Sequence, residues 1–227
     1  MKISVIGFGN IGSAVVNNLL NNGSDHEIYL ANRSFDKIQK FADAHGDNVH
    51  AVSEEEAVKQ GDVLILTMWM VQQLDFINRY YEQLGNKIVI DPSNPVGYNS
   101  QGESRRTLPE GLSSGEVIRF NLPEGVGYIK AFGTMGADSL ADEASADKSV
   151  VLYYATDSAE NDRLAEELIK DSGYFPLNAD TKGLNVSGYG HLEVGGELHQ
   201  YGGLEGQVPT KELAEKKLAE FKEAHKA

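Results

Sequence analysis

Met1-Lys2-Ile3-Ser4-Val5-Ile6-Gly7-Phe8-Gly9-Asn10-Ile11-Gly12-Ser13-Ala14-Val15-Val16 opens the chain, and the reading of this stretch decides the fold. Ile3, Val5 and Ile6 form a short apolar run that reads as a buried strand. Ile11, Ala14, Val15, Leu19 and Leu20 then recur at helical spacing until Asn22-Gly23 signals a stop. Between them lies the pattern Gly7-x-Gly9-x-x-Gly12. The alternative is a plain tight strand-to-helix turn; a strand before and a helix after are the context of a dinucleotide-binding loop. Gly7 makes the turn, Gly9 lets the backbone approach a pyrophosphate, and Gly12 lets helix and strand pack closely. The helix N-terminus offers free N–H groups to the anion. Gly7, Phe8, Gly9, Asn10, Ile11 and Gly12 are therefore the expected pyrophosphate loop.

Outward from the loop, strand and helix signals keep alternating. Glu27 to Ala31 reads as a strand, and Ser34 caps a helix reaching about His45. Asn48 to Val52 is a weaker strand, and Ser53 with Glu56 forms a capping box before a short helix. Val63 to Thr67 is a continuous apolar run, as expected of a parallel strand covered on both faces. A helix from about Val71 to Leu84, a strand over Lys87 to Asp91, and a long Pro/Gly/Ser loop over residues 92–111 follow. Ser113 and Glu116 cap a helix to about Leu122, and Tyr128 to Phe132 is the next strand. Beyond it, Val150 to Ala155 and Tyr174 to Leu177 read as strands around a helix from Ser158 to Asp171. Residues 183–206 are rich in Gly and carry no assignable element, and Thr210 to Ala227 reads as a helix. The sum is an α/β fold: a doubly wound, mainly parallel sheet of the Rossmann type with a short C-terminal α/β extension. The expected division is a dinucleotide-binding domain over 1–135, an extension packed on it over 136–208, and a helix over 209–227.

The end of the second strand selects the dinucleotide. NAD sites place an acid about 20 residues past the loop, to bind the ribose hydroxyls. Here Asn32-Arg33-Ser34 stands there, with no acid. Arg33 can pair bidentately with the 2′-phosphate of NADP, Ser34 can donate to it, and Lys37 adds charge. Parallel sheets bind the rest of such ligands at their carboxyl ends. That adds Thr67, Met68 and Trp69, Asn94 and Pro95, and Phe132, Gly133 and Met135 as candidates. Asn94 would orient the nicotinamide or its ribose. Trp69, the lone Trp of the chain, could wall a flat ligand or pack in the core; it and Met135 are the candidate substrate contacts.

With these residues placed, roughly residues 1–180 resemble the deazaflavin-coenzyme-dependent NADP oxidoreductases. The resemblance rests on Gly7 to Gly12, Asn32-Arg33-Ser34, Leu66-Thr67-Met68-Trp69, Ile90-Asp91-Pro92-Ser93-Asn94-Pro95 and Lys130-Ala131-Phe132. It implies hydride exchange between NADPH and a 5-deazaflavin, with Ala131, Phe132 and Gly133 beside the cofactor. The same domain type occurs in the cytoplasmic part of eukaryotic transmembrane ferric reductases. Met68 stands where the family usually has Pro, Gly133 where it usually has Asn, and the glycine-rich 183–206 stretch replaces a more apolar helix.

Hydride transfer between two ring systems asks the protein for position and dryness rather than acid–base chemistry. A carbonyl or imine substrate would more often need a proton donor, and Lys182 with Asn185 are the candidates. A non-catalytic NADP(H) sensor is the third reading. His191, Glu193, Glu197 and His199 make an H-x-E and E-x-H pair across Gly195-Gly196. Their spacing matches no derivable metal motif, so surface polarity is the expectation, with no metal. The glycine-rich stretch also suits a mobile cover.

Composition bounds the partners. Over 227 residues, 20 Lys+Arg against 34 Asp+Glu leave a net charge of -14. Such a chain is repelled by nucleic acid and by anionic membrane surfaces. With no Cys there is no thiolate, cluster or disulfide chemistry, which fits a cytoplasmic setting. No apolar stretch approaches the roughly 20 residues of a membrane span. The expected partner is a small-molecule acceptor, a deazaflavin, a flavin or similar, and a homodimer is the common assembly.

Overall fold

The structure, a computed structural model, describes residues 1–23, 25–179 and 188–226. Eight strands form one sheet: β1 (Lys2–Ile6), β2 (Glu27–Ala31), β3 (Val49–Ala51), β4 (Val63–Leu66), β5 (Ile88–Asp91), then β8 (Gly127–Lys130), β9 (Val151–Thr156) and β10 (Phe175–Asn178). Two short strands, β6 (Val96–Tyr98) and β7 (Ser104–Arg106), pair as a separate antiparallel hairpin inside what reads in the sequence as a loop. The order across the sheet is β10-β9-β8-β5-β4-β1-β2-β3. The six strands from β3 to β8 are parallel, in the doubly wound order that switches direction between β1 and β4. The expected α/β class is observed.

β9 runs antiparallel to β8, and β10 lies parallel to β9. The strands of the 136–208 region thus lengthen the first sheet. Their reversal follows from the connection: α6 (Ala137–Asp142) and a turn-rich stretch return the chain to the edge without a crossover helix of full length. α6 is short, and its backbone is held from elsewhere: the Leu140 carbonyl accepts from Asn18 Nδ2 and from the Tyr174 hydroxyl, both at 2.7 Å.

Helices cover both faces. α1 (Asn10–Asn21), α2 (Phe35–His45), α6 and α7 (Ala159–Asp171) supply a core with Val5, Val15, Leu30, Leu152 and Ile169. α3 (Glu54–Gln60), α4 (Met70–Tyr80) and α5 (Ser114–Asn121) close the opposite face over Ile6, Leu64, Leu66 and Val89. Ser53 caps α3, and the Ser113/Glu116 capping box starts α5, as the sequence indicates. α8 (Lys211–Ala224) packs its Ala214, Leu218 and Phe221 against Val151 and Tyr153 of β9. Residues 188–206 sit between α8 and the sheet, burying Leu192, Leu198 and Leu204. Their glycines are spacers: a Cβ at Gly202 would lie 2.1 Å from the Gly196 carbonyl oxygen, and one at Gly203 2.2 Å from that of Glu197. Among the described residues, no helix is long and apolar enough to cross a membrane.

Candidate functional site

The turn between β1 and α1 is built by the contacts its glycines permit. Gly7 has φ +97°, the left-handed region that favours glycine. A Cβ on Gly12 would stand 2.3 Å from the Gly7 carbonyl oxygen and 2.6 Å from Thr67 Oγ1, so helix and strand touch there. A Cβ on Gly9 would meet nothing within 4 Å. Gly9 therefore faces open space at the N-terminus of α1, where an anion is favoured. This is the cradle a pyrophosphate needs, and the residues present fit a dinucleotide. Asn10 is exposed and Ile11 partly so, while Phe8 is buried.

The loop is clamped from both neighbouring strands. Asn32 Oδ1 accepts from the Phe8 N–H at 3.1 Å, and Lys37 Nζ donates to the Phe8 carbonyl at 2.7 Å and lies 5.3 Å from the Phe8 ring centre. From β4, Thr67 Oγ1 donates to the Gly7 carbonyl at 2.7 Å. Asn32 and Lys37 thus position the loop. Arg33 and Ser34 remain open: Arg33 is exposed and unpaired among the described residues, and the Ser34 hydroxyl starts α2 without capping it. A free guanidinium, a free hydroxyl and a helix N-terminus together suit a phosphate monoester.

Past β4, Gln73 Nε2 donates to the carbonyls of Leu66 at 2.7 Å and Met68 at 3.2 Å, fixing the turn that presents Trp69. Trp69 is 52% exposed, so it is not a core residue. It meets Tyr98 of the β6–β7 hairpin edge-on, with ring centroids 5.8 Å apart. A groove of about 260 Å³ lies between Trp69, Met70 and Val71 on one side and Val96, Tyr98 and Thr107 on the other. No carboxylate, Lys or His lines it. One of its two walls is set by the hairpin, which sequence periodicity does not reveal.

The carboxyl ends of β5 and β8 hold a buried charge network. Asp91 and Lys130 are register partners across these strands. Lys130 Nζ lies 2.9 Å from Asp91 Oδ2, 2.5 Å from the Ser93 carbonyl, 3.1 Å from Ser114 Oγ and 3.4 Å from Glu193 Oε1. The Tyr128 hydroxyl and Gln73 Nε2 also donate to Asp91, at 2.8 and 3.0 Å. Burial pushes the Asp91 carboxyl up, but the Lys130 ammonium and the hydrogen bond from the Ser93 N–H outweigh it and hold the carboxyl below its usual range. Glu193, 1% exposed, accepts from the Ser114 and Gly115 N–H groups at the start of α5, at 3.1 and 2.8 Å. The excess negative charge is thus answered by a helix N-terminus. Apart from Ser93 on Asp91, the partners are at least 16 residues apart in sequence; a charged residue in each of two apolar strands is the signal that could have found the Asp91–Lys130 pair.

Asn94 ties three segments: its Nδ2 donates to the Gly133 carbonyl at 3.0 Å, and its Oδ1 accepts from the Val194 N–H at 2.7 Å. Gly133 must be glycine because a Cβ would lie 2.3 Å from the Pro92 carbonyl oxygen. Pro95, Ala131 and Phe132 are buried, and Phe132 has φ +63°, a left-handed turn that ends β8. Met135, 2% exposed, lies in the core with Leu140 and Tyr174 rather than at the groove.

The expectation of surface polarity at 191–199 is corrected for two residues. Glu193 is sunk in the Lys130 network, and His199 is 1% exposed. Burial lowers the His199 imidazole to about 4 against a hydrogen bond to the Gly133 carbonyl, so the ring is neutral, with Nδ1 accepting from the Tyr201 N–H at 2.9 Å. Glu197 does reach the surface, while His191 is largely covered. Lys182 and Asn185 lie outside the described residues.

Residues 2–95 match the family model of coenzyme F420-dependent NADP oxidoreductases. No curated protein sequence matches the chain. Among solved structures, a hypothetical protein, SMa0349, from Sinorhizobium meliloti is 26% identical, with 88% of this chain and 93% of that one covered and a TM-score of 0.70. A protein of Arthrobacter sp. FB24 provisionally assigned as an F420-dependent NADP reductase is 19% identical over 78% of this chain and 84% of that one, with a TM-score of 0.65. A pyrroline-5-carboxylate reductase from Coxiella burnetii is 17% identical over 80% of this chain but 59% of that one, with a TM-score of 0.56.

Proposed function

We infer, from a nucleotide-binding half that carries the sequence of the NADP-dependent oxidoreductases of the coenzyme F420 family, that this protein binds NADP(H) and passes hydride between it and a planar ring acceptor. The glycine loop, with open space at Gly9, would take the pyrophosphate, and Arg33 with Ser34 would take the 2′-phosphate. Bound NADPH supplies the hydride. The chain's own residues bind, orient and exclude water. Asn32, Lys37 and Thr67 fix the loop, and Asn94 fixes the ends of β5 and β8 beside the nicotinamide position.

The observation that carries the acceptor reading is the groove between Trp69 and Tyr98. It begins one residue from Met68, whose Cγ would be 3.1 Å from a Cβ on Gly7. It has aromatic walls and no carboxylate, Lys or His. At about 260 Å³ it falls just below the roughly 300 Å³ at which small-molecule pockets begin, space for a ring system rather than a whole cofactor. A flavin or 5-deazaflavin, of the kind the matched family's name carries, meets that description. One feature favours a carbonyl or imine reductase instead: the Tyr98 phenol sits at the groove, 62% exposed, and could donate a proton.

The test is turnover. NADPH is mixed with the protein and a panel of 5-deazaflavin, flavin, quinones, small carbonyls and cyclic imines. Oxidation by the ring acceptors, with Trp69→Ala raising their KM and leaving NADPH affinity unchanged, is expected. Oxidation by carbonyls or imines alone, abolished by Tyr98→Phe, would move the protein to the reductase reading. Tight NADPH binding with no acceptor would make it a sensor.

A further inference from the structure

Away from the nucleotide loop, two imidazoles and a carboxylate converge from the 190–197 stretch and the end of α8. His191 belongs to the single turn Gly190–Leu192, Glu197 to the glycine-rich stretch, and His225 ends α8. His191 Nδ1 lies 2.6 Å from Glu197 Oε2, and His225 Nε2 lies 3.2 Å from Glu197 Oε1. One ligand atom from each residue lies within 4.8 Å of the others. Both rings pack against Phe221, each 4.8 Å between centroids, and Phe221 itself is in the core with Leu192 and Leu198. The aromatic floor holds the two imidazoles facing one carboxylate. The His191 and His225 side chains are largely covered and Glu197 is half exposed, so the cluster opens to solvent on the carboxylate side.

We propose that His191, Glu197 and His225 form a divalent transition-metal site of the zinc type. Two imidazole nitrogens and one carboxylate, without thiolates, are the donor set of three-ligand zinc sites that keep a fourth position for water. Metal–ligand bonds of about 2.0–2.2 Å place tetrahedral donors roughly 3.4 Å apart, so on binding donors up to 4.8 Å apart draw together while the 2.6 Å His191–Glu197 contact opens. The terminal position of His225, one residue past α8, allows that movement. Hard cations such as magnesium prefer oxygen donors and near-octahedral geometry, which this set does not supply.

The ion has a structural consequence. It ties residues 190–197 to α8, and the same stretch carries Glu193, which caps α5, and Val194, which holds Asn94. The cation thus fastens the cover over the carboxyl ends of β5 and β8 to the C-terminal helix.

The experiment uses the full chain without an affinity tag, stripped with a chelator. Calorimetric titration with zinc chloride is expected to show one equivalent per chain, and thermal melts an upward shift that saturates at the same ratio, since ligands of the folded state stabilise it. Magnesium chloride should give neither. Glu197→Gln and His225→Ala, each checked by circular dichroism, should each abolish the one-equivalent binding and the shift. His45→Ala, at an exposed His of α2, should leave both intact. Absence of stoichiometric binding by the parent chain, or binding unchanged in both Glu197→Gln and His225→Ala, overturns the proposal.

Discussion

Gly9 and Gly12 belong to one motif, yet physics gives them opposite duties. A methyl at Gly12 would collide with the Gly7 carbonyl oxygen at 2.3 Å, whereas one at Gly9 enters empty space. Gly12→Ala is therefore expected to destabilise the fold by about 1–3 kcal/mol, the usual range for overpacking, read as a lower urea midpoint. Gly9→Ala should melt like the parent and lose NADPH affinity in a fluorescence titration, because the methyl fills the pyrophosphate cradle. Equal behaviour of the two variants in both assays would refute the assignment of the cradle. Arg33 makes the complementary case. Its guanidinium is unpaired among the described residues, so removing it costs the fold little. Losing a charge-assisted contact of roughly 1.5–3 kcal/mol should weaken NADPH binding by about tenfold or more in Arg33→Ala. NADH binding should hardly change; a parallel loss of both dinucleotides would remove the 2′-phosphate from the reading. The glycine turn between β1 and α1 was legible because the left-handed backbone at Gly7 is a property of the turn itself. That Asn32 clamps Phe8, and that Lys37 spends its ammonium on the same residue, was not, since both contacts cross from β2 and α2 to the loop.

Among the elements, β5, β8, α5 and the 190–199 stretch are joined by one buried cation and two buried anions. Lys130→Met would leave Asp91 and Glu193 without their cation. Breaking a buried pair in this way costs about 3–5 kcal/mol, far more than losing a surface salt bridge. Urea denaturation should show that loss, and Lys130→Met combined with Asp91→Asn should recover part of it, because the two residues share one interaction. Strictly additive losses would deny the coupling. Strands and helices up to β8 were legible from apolar runs and capping residues. The β6–β7 hairpin was not: Val96–Tyr98 and Ser104–Arg106 are three residues each and exposed or nearly so, too short for a periodic signal. α6 was missed for the same reason; tertiary hydrogen bonds to Leu140 hold its six residues.

At the scale of the molecule, the core is rich in buried phenols. Burial is the leading cause that raises the pKa of Tyr128, Tyr153, Tyr154, Tyr174 and Tyr189, the last to about 12. An unfolded tyrosine ionises near 10. Above that pH the unfolded chain has shed protons that the folded chain keeps, so stability falls as pH rises; below it these groups make no difference. Stability should be level toward pH 9 and decline above about 10, with buried tyrosinate absorbance and circular dichroism changing in one transition. Ionisation of all ten tyrosines with the fold intact would contradict this. The sequence by itself determined the alternation of strand and helix, the doubly wound class, the glycine turn and an end of β2 that carries Asn32-Arg33-Ser34 and no acid. Each rests on local periodicity, local turn chemistry or spacing along one βαβ unit. Tertiary structure alone decided the reversal of β9 and β10, the aromatic groove between Trp69 and Tyr98, the Asp91–Lys130–Glu193 network and the meeting of His191, Glu197 and His225. His191 and Glu197 are neighbours in sequence, but Trp69 and Tyr98, Asp91 and Lys130, Lys130 and Glu193, and Glu197 and His225 stand about 30 to 60 residues apart, and only burial of the apolar faces against one another brings such distant side chains within bonding distance.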